Sequence, residues 1–310
     1  MITARSTRGG ALSLLAALLL LAVFLAPYLW MLSTSLKDYP ELFEAWKGWE
    51  SLWPAQPQWA NYQEIFTAIP LIRYLLNSLG VALASSLLET TLAALAAYGL
   101  ALLTWRRKAA AYWLLSLAWL VPFPVVLVPR FLIFAHLGQW LGPGDFWSAW
   151  RVAHLGEEQI FLGRLLGLDS YLALVLPGSV SITAAFLLIA AMKRIPPQLL
   201  EAARLDSTTS LQTLWRVVLP LVRPSLITVA FFAFLSSWQG FTWPLVVTST
   251  LQMQTAPLGL RAFQSLHSTQ WPLLMAGSVL LTLPSLGLLF LAQRFLIDGF
   301  QINDLQDNRM

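Results

Sequence analysis

Cysteine is absent from this chain, and charged residues are scarce. Only 11% of the 310 residues are charged and 57% are hydrophobic, whereas an average soluble domain carries about 25% charged residues. The lack of cysteine excludes a disulfide framework and any cysteine-ligated metal site. No basic run is longer than Arg106, Arg107 and Lys108, so nothing favours nucleic-acid binding. The composition therefore predicts an integral membrane protein.

Lysine and histidine are also rare, which limits the chemistry that the chain can perform. A P-loop needs a lysine followed by serine or threonine, because its ammonium and backbone amides hold the phosphates. None of the four lysines has such a neighbour, and the three histidines lack metal-ligand spacing. We therefore expect no catalytic residue, no metal and no cofactor on this chain, so it is not an enzyme. Any ATP hydrolysis would take place on another subunit.

Six apolar segments are long enough to cross a bilayer, which takes about 20 residues of helix. The first is predicted to be an uncleaved span, because it is too long for a signal peptide and no small-residue cleavage site follows it. The third contains Pro122, Pro124 and Pro129, which predicts a kink. The six segments are 11–36, 74–104, 109–135, 170–192, 222–247 and 272–293.

The distribution of lysine and arginine orients the spans. With the N-terminus in the cytoplasm, twelve of these residues fall on the cytoplasmic side and seven on the outer side. The positive-inside rule therefore predicts that both termini are cytoplasmic. The outer loops are rich in tryptophan, which indicates either anchoring at the headgroup level or a surface for sugars or a partner.

Few charged side chains lie within the predicted spans. Glu89 and Arg130 are charged, so we expect them to pair, unless Arg130 extends alone to the outer headgroups. Trp238 and Gln239 combine an aromatic face with an amide, which suits a polyol, although packing between helices explains them equally well. An ion-driven secondary carrier remains the alternative to an ATP-driven system, but one deep acid does not make an ion relay.

A polar stretch, EAARLDSTTSLQTLWRVVLP (Glu201–Pro220), separates the fourth and fifth spans. The residues before Asp206 have high helix propensity. Thr209 and Gln212 have the spacing of a capping box, which predicts a second helix start. Leu211, Leu214, Trp215 and Val218 then recur with the period of one helix face. The pattern predicts a helix, a turn and a second helix on the cytoplasmic side.

This stretch resembles the EAA motif of bacterial ABC importer permeases. One position departs from the family, because Ser207 stands where these permeases have a glycine in the turn between the two helices. A serine with positive φ costs about 1 kcal/mol there, unless Asp206 and Ser207 cap the turn with their side chains. The matching positions are Glu201, Ala202, Ala203, Ser207, Val217, Leu219 and Pro220.

The resemblance covers nearly the whole chain. The segments SLKDYPELF, RYLLNSLGVA, SSWQGFTWPLVV and TAPLGLRAFQ are similar to carbohydrate-type permeases, in particular to the six-span member of the maltose permease pair. Residues 139–166 look like an insertion, and residues 301–310 lack the usual ending of the family. In the family that ending reaches toward the ATPase.

The resemblance implies an all-α integral membrane protein with six transmembrane helices, in the type I ABC importer (MetI-like) permease fold with a cytoplasmic coupling helix. Within one permease domain, 1–310, it implies a first span with its outer loop (1–73), a five-span core (74–300), a coupling loop (193–220) and a tail (301–310). The implied location is the bacterial inner membrane.

The resemblance also implies a set of partners and site residues. The partners are a second permease subunit, an ATP-binding subunit dimer that holds ATP and Mg, and an extracytoplasmic solute-binding protein. The solute is a carbohydrate or a polyol. The residues expected to couple to the ATPase are Glu201, Ala202, Ala203, Arg204, Asp206, Ser207, Leu219 and Pro220; those expected on the solute pathway are Trp238, Gln239 and Glu89.

Overall fold

Long α-helices make up most of the chain that the structure describes. The structure is a computed structural model that describes residues 7–44, 48, 52–141, 167–205, 209–264 and 269–301. These residues form no strand beyond an isolated bridge between Gln264 and Thr269, so the predicted all-α class is confirmed. The helices are α1 (Thr7–Ser35), α2 (Ala60–Ala68), α3 (Leu71–Ala101), α4 (Lys108–Trp119), α5 (Phe123–Leu141), α6 (Tyr171–Val175), α7 (Ile182–Met192), α8 (Pro197–Leu205), α9 (Ser210–Thr213), α10 (Leu219–Leu221), α11 (Arg223–Trp238), α12 (Thr242–Val247), α13 (Ala256–Gly259) and α14 (Trp271–Gln301).

Among the described residues, three helices are long and apolar enough to cross a bilayer without a break. They provide the segments Ser13–Ser35, Leu71–Ala101 and Trp271–Phe295. The 31 residues of α3 extend about 46 Å at 1.5 Å per residue, which exceeds the roughly 30 Å of the hydrocarbon core. Three further candidates are pairs of helices joined by a bend. Counting each pair as one span gives the six that the sequence predicts.

The bent pairs break where the sequence removes helical hydrogen bonds. α4 and α5 meet at 101°, and Pro122 lies in the break between them. Proline lacks the N–H and disfavours helical geometry in the residue before it, so the kink predicted for this span is confirmed. The segment Tyr171–Gly178 bends by 47° from α7, and Ser210–Leu221 bends by 84° from α11.

The fifth span differs from the prediction of one helix over 222–247. α11 ends at Trp238, and a separate α12 begins at Thr242. The amide of Gly240 turns back to the carbonyl of Ser237. Glycine weakens a helix at this point, and Pro244 has no N–H with which to continue the α11 ladder.

One compact unit consists of Met1–Ile72 and Gly259–Pro284. Asn61 on α2 fastens the end of α1, because its Nδ2 donates to the carbonyls of Ser35 (2.9 Å) and Lys37 (3.0 Å). Gly277 on α14 lies close to Ile65 and Leu260. A Cβ there would be 2.8 Å from Ile65 Cδ1 and 2.3 Å from Leu260 Cδ2, so this close packing favours glycine.

The second compact unit consists of Arg73–Leu258 and Ser285–Met310. Its largest apolar cluster packs α3 against α7 and α11. Small residues on α3 allow the close approach that membrane helices use, and the Ser86 hydroxyl on α3 donates to the Ala230 carbonyl of α11 at 2.7 Å. Buried members of the cluster include Ala97, Leu188, Met192, Leu214 and Val218.

Candidate functional site

The coupling loop, residues 193–220, contains the second helix start that the sequence predicts. The Thr209 hydroxyl accepts from the amide of Gln212 at 3.3 Å, and the Gln212 side-chain carbonyl accepts from the amide of Thr209 at 2.9 Å. These reciprocal bonds form a capping box and satisfy two N–H groups that a helix start leaves open. The predicted capping box is therefore confirmed.

The chain after the capping box departs from the predicted single apolar face. α9 leads into a π-helical turn at Leu214–Val218, in which hydrogen bonds span one residue more than in an α-helix. Leu214 and Val218 are buried, whereas Leu211 and Trp215 remain 59% and 58% exposed. The four residues therefore divide between an anchoring face, toward the core, and an exposed face.

The structure places the predicted coupling residues at different depths. Glu201 and Ala202 are exposed on α8, while Ala203 on the same helix is buried. Leu219 is half-buried and Pro220 is exposed on α10. The Arg204 side chain, Asp206 and Ser207 lie outside the described residues, and so does the tail 302–310. The role of all these residues in coupling stays a prediction.

Large apolar side chains project from the coupling loop without protein cover. Leu205 at the end of α8 is 85% exposed, and Leu211 and Trp215 are exposed as well. Glu201 and Gln212 on the same loop are exposed as well. Exposed large apolar side chains among polar residues are typical of an interaction surface.

The second compact unit also contains a cavity of about 430 Å³. Its walls come from α3, α5, the α6–α7 bend and the α11–α12 break. The broken fifth span thus supplies one wall, which is formed by residues 236–237 and 240–244. A volume of this size lies within the roughly 300–1,000 Å³ of sites for small ligands. The polar lining includes Ser85, Glu89, Arg130, Ser181, Ser237 and Thr255.

Hydrogen bonds fix the side chains around this cavity. Ser181, which lines the same cavity as Glu89, caps α7 by accepting from the Ala184 amide at 3.2 Å. Trp243 donates its indole N–H to the Ala173 carbonyl at 2.7 Å. Its ring meets Phe134 edge-on, with centroids 6.0 Å apart. These contacts hold the side chains in fixed rotamers, so the wall has a defined shape.

A hydrogen-bond hub at Asn77 positions the loop that brings Thr255 to the cavity. The Asn77 amide donates to the carbonyls of Gln252 and Gln254 at 2.8 and 2.9 Å. Its side-chain oxygen accepts from the Tyr171 hydroxyl at 2.8 Å. Ser78 next to it accepts from the Ala256 amide at 2.8 Å. α3 thus holds residues 252–256 in place.

The structure separates the residues predicted for the solute pathway. Glu89 lines the cavity. Trp238 is buried in an apolar cluster with Ala82 and Phe234, and its ring stacks on Phe234 at 5.8 Å. Gln239 is exposed, and neither it nor Trp238 lines the cavity. A pathway role for these three residues stays a prediction.

Sequence reasoning missed most of the cavity lining. Arg130 was recognisable as a charge within a span, and the structure brings it to the same cavity as Glu89. Pairing between the two charges stays a prediction. Ser85, Thr255 and Trp243 carry no sequence signal, because serine, threonine and tryptophan are ordinary residues of membrane helices and their ends.

Known proteins with similar sequences are transport permeases. The profile of the family described as "Binding-protein-dependent transport system inner membrane component" matches residues 89–297. The sulfoquinovosyl glycerol transport system permease protein SmoH of Agrobacterium fabrum is 30% identical over 300 residues, covering 96% of this chain and 94% of SmoH. The arabinooligosaccharides transport system permease protein AraQ of Bacillus subtilis is 26% identical over 290 residues, covering 93% of each chain.

Two further similarities agree with these. The sn-glycerol-3-phosphate transport system permease protein UgpE of Yersinia enterocolitica is 28% identical over 257 residues, covering 80% of this chain and 82% of UgpE. The fold is similar to a chain in the crystal structure of a bacterial ABC transporter involved in the import of the acidic polysaccharide alginate. There the TM-score is 0.74 at 16% identity, covering 95% of this chain and 100% of that one.

These findings favour the ABC importer permease over the secondary carrier, and they confirm the family and the fold that the EAA motif implies. The family profile includes the whole coupling loop and most of the cavity lining. With the six candidate spans, the match shows a membrane component of a transport system. The chain belongs to the family of binding-protein-dependent transport system inner membrane components.

Proposed function

We propose that this permease forms, with a second permease subunit, the translocation pathway for a carbohydrate or a related polyol. The observation that carries the solute class is the similarity to SmoH, which extends over 96% of this chain. The names of the three relatives above specify a glycosyl glycerol, an oligosaccharide and a glycerol phosphate. All three solutes are rich in hydroxyl groups, and hydroxyls also line the cavity.

The energy source in this proposal is an ATP-binding subunit dimer that docks on the coupling loop. The absence of a P-loop lysine in the sequence supports hydrolysis on another chain. Leu205, Leu211 and Trp215 supply exposed apolar surface on this loop, which also exposes the charge of Glu201. Docking of a partner on the loop would be favourable, because burying these side chains removes apolar surface from water. In this proposal the chain is non-catalytic and binds no cofactor, and ATP and Mg are held by the ATPase.

Transport then follows from a change in the distance between coupling loops. Closure of the ATPase dimer on ATP draws the loops of the two permeases together, and the helices rock from an inward-open to an outward-open state. A solute-binding protein outside the membrane delivers the solute to the cavity. ATP shifts this equilibrium only because the ATPase contacts differ between the two states. The excess of lysine and arginine on one side supports a cytoplasmic position for the coupling loop and both termini.

The test is purification of the tagged chain from its native membrane with its partners. We expect an ATP-binding subunit and a second permease to co-purify, and a solute-loaded binding protein to stimulate ATP hydrolysis by the reconstituted complex. Trp215→Ala should weaken the ATPase association, because Trp215 lies on the coupling loop. Trp113→Ala is the matched control, since Trp113 on α4 is similarly exposed, at 69% against 58%. Transport driven by an ion gradient without any ATPase would contradict the proposal and support a secondary carrier.

A further inference from the structure

Some polar groups that line the cavity have no hydrogen-bond partner within the protein. Ser85 and Thr255 are only 2% and 3% exposed, and both line the cavity. Among the described residues, Ser85 Oγ and Thr255 Oγ1 have no hydrogen-bond partner. A buried hydroxyl without a partner costs free energy, so a native protein retains one where water or a ligand completes the bonding. The two hydroxyls therefore mark a place where a polar ligand or water can bind.

The same cavity contains one cationic and one acidic side chain. Among the residues that line it, Arg130 is the only lysine or arginine and Glu89 is the only acid. Arg130 lies within a predicted span and is half-buried. A charge at such a position is costly and typically marks a solute or ion pathway.

Resting on the proposed carbohydrate or polyol function, we propose that the solute carries an anionic oxygen group and that Arg130 binds this group in the cavity. The planar guanidinium presents paired N–H donors that match two oxygens of a phosphate, sulfonate or carboxylate. Glu89 accepts hydrogen bonds from hydroxyls of the solute. Ser85 and Thr255 complete the bonding of the remaining hydroxyls.

The arrangement selects against neutral solutes through the cost of leaving Arg130 uncompensated. A neutral solute displaces water from the guanidinium but supplies no counter-charge. An anionic solute supplies one, with short charge-assisted hydrogen bonds. Glu89 orients the solute, because its carboxylate repels the anionic end and accepts hydrogen bonds from hydroxyl groups. The solute is therefore bound in one orientation, with its anionic group at α5 and its hydroxyls at α3.

The experiment compares variants of the complete permease–ATPase complex with matched solutes. The variants are Arg130→Gln, Arg130→Lys and, as control, Arg106→Gln, which removes an exposed arginine that does not line the cavity. The anionic solutes are glycerol 3-phosphate, glucosyl glycerol with a 6-sulfonate, and glucuronosyl glycerol, which separate phosphate, sulfonate and carboxylate. Glycerol and glucosyl glycerol are the neutral counterparts. The readouts are the solute concentration that half-saturates the thermal stabilisation of the detergent-solubilised complex, and solute-stimulated ATP hydrolysis with the binding protein.

We expect at least one anionic solute to stabilise the wild-type complex saturably, and its neutral counterpart to do so only at much higher concentration. Arg130→Gln should raise the half-saturating concentration of the anionic solute about tenfold to a hundredfold, the factor for losing a charged hydrogen bond. It should lower that of the neutral counterpart, because the glutamine leaves no charge uncompensated when a neutral solute displaces water. Arg130→Lys should keep part of the affinity, and Arg106→Gln should match wild type.

Two failures remain distinguishable. If no carbohydrate or polyol of either kind stabilises the complex or stimulates ATP hydrolysis, the proposed function itself is wrong. If such solutes act but Arg130→Gln behaves as Arg106→Gln does, or if neutral and anionic solutes bind wild type equally, the function stands and this inference is overturned. Should Arg130→Gln not fold, the wild-type comparison and Ser85→Ala decide the question. Ser85→Ala should weaken binding of the anionic solute, and unchanged binding would contradict the proposed bonding.

Discussion

Gly277 offers a sharp test of the packing described for the first compact unit. Gly277→Ala would place a Cβ 2.3 Å from Leu260 Cδ2 and 2.8 Å from Ile65 Cδ1, well inside the optimal separation of about 3.5–4.0 Å between carbon atoms. Both contacts are with the ends of side chains, which can shift. Leu260 and Ile65 are buried, however, at 6% and 0% exposure, so the shift must disturb their neighbours.

The expected loss of unfolding free energy is about 1–2 kcal/mol, in the lower part of the overpacking range because side-chain ends and not backbone must move. Gly287→Ala is the matched control in the same helix, since no atom lies within 4 Å of its added Cβ. Replacing a helical glycine by alanine at an open position is expected to stabilise by up to about 1 kcal/mol. The two glycines of α14 should therefore respond with opposite signs.

The assay is denaturation of the purified chain or complex, followed by tryptophan fluorescence or by size-exclusion after heating. Leu260→Ala combined with Gly277→Ala completes a double-mutant cycle, because the shorter side chain removes the closest clash. We expect a coupling energy of about 0.5–2 kcal/mol in the direction of rescue. Equal stability of the two glycine variants, or strictly additive losses in the cycle, would refute the packing.

Three more outcomes follow from particular hydrogen bonds and charges. Glu201→Lys should lower solute-stimulated ATP hydrolysis or release the ATPase, because it reverses an exposed charge on α8; wild-type transport with an intact complex would exclude this role. Thr209→Ala should cost about 1 kcal/mol through loss of the helix cap, measured by thermal unfolding, whereas Thr209→Ser should be near neutral. Asp169→Ala should lower the free energy of unfolding by about 1–2 kcal/mol, because the Asp169 carboxylate accepts from the amides of Ser249 and Thr250 and from the Thr250 hydroxyl. Asp169→Asn is the control, since it retains an acceptor and tolerates the positive φ of 58° at this residue. Equal losses in both variants would argue against a stabilising role for these hydrogen bonds.

Much of the architecture was predictable because it depends on residues that are close in sequence. Apolar runs of about 20 residues predict spans regardless of what they pack against. The capping box at Thr209 and Gln212 closes over three residues, so its spacing is sufficient. The break at Pro122 follows from a missing N–H and a steric restriction on one neighbour.

The errors arose where packing competes with a local pattern. Leu211 and Trp215 have the helical spacing of a buried face but remain exposed, because periodicity identifies a face without saying what covers it. The fifth span was predicted as one helix, since Gly240 and Pro244 do not lower the hydropathy of the run. Their effect is on backbone hydrogen bonds, which a count of apolar residues does not measure.

By itself, the sequence determined the membrane class, the number of spans, the absence of a P-loop and the family resemblance of the coupling loop. Only the tertiary structure decided which polar residues share a cavity. Glu89 and Arg130 were visible as charges. That they share a cavity with Ser85 and Thr255 depends on the bend between α4 and α5, the break after Trp238 and the hydrogen bonds of Asn77. Trp238, which was predicted for the solute pathway, packs on Phe234, a contact that the sequence pattern did not reveal. The physical reason is that helix geometry is set by neighbours within a turn, whereas a cavity is formed by residues from distant segments that fail to fill the space between them.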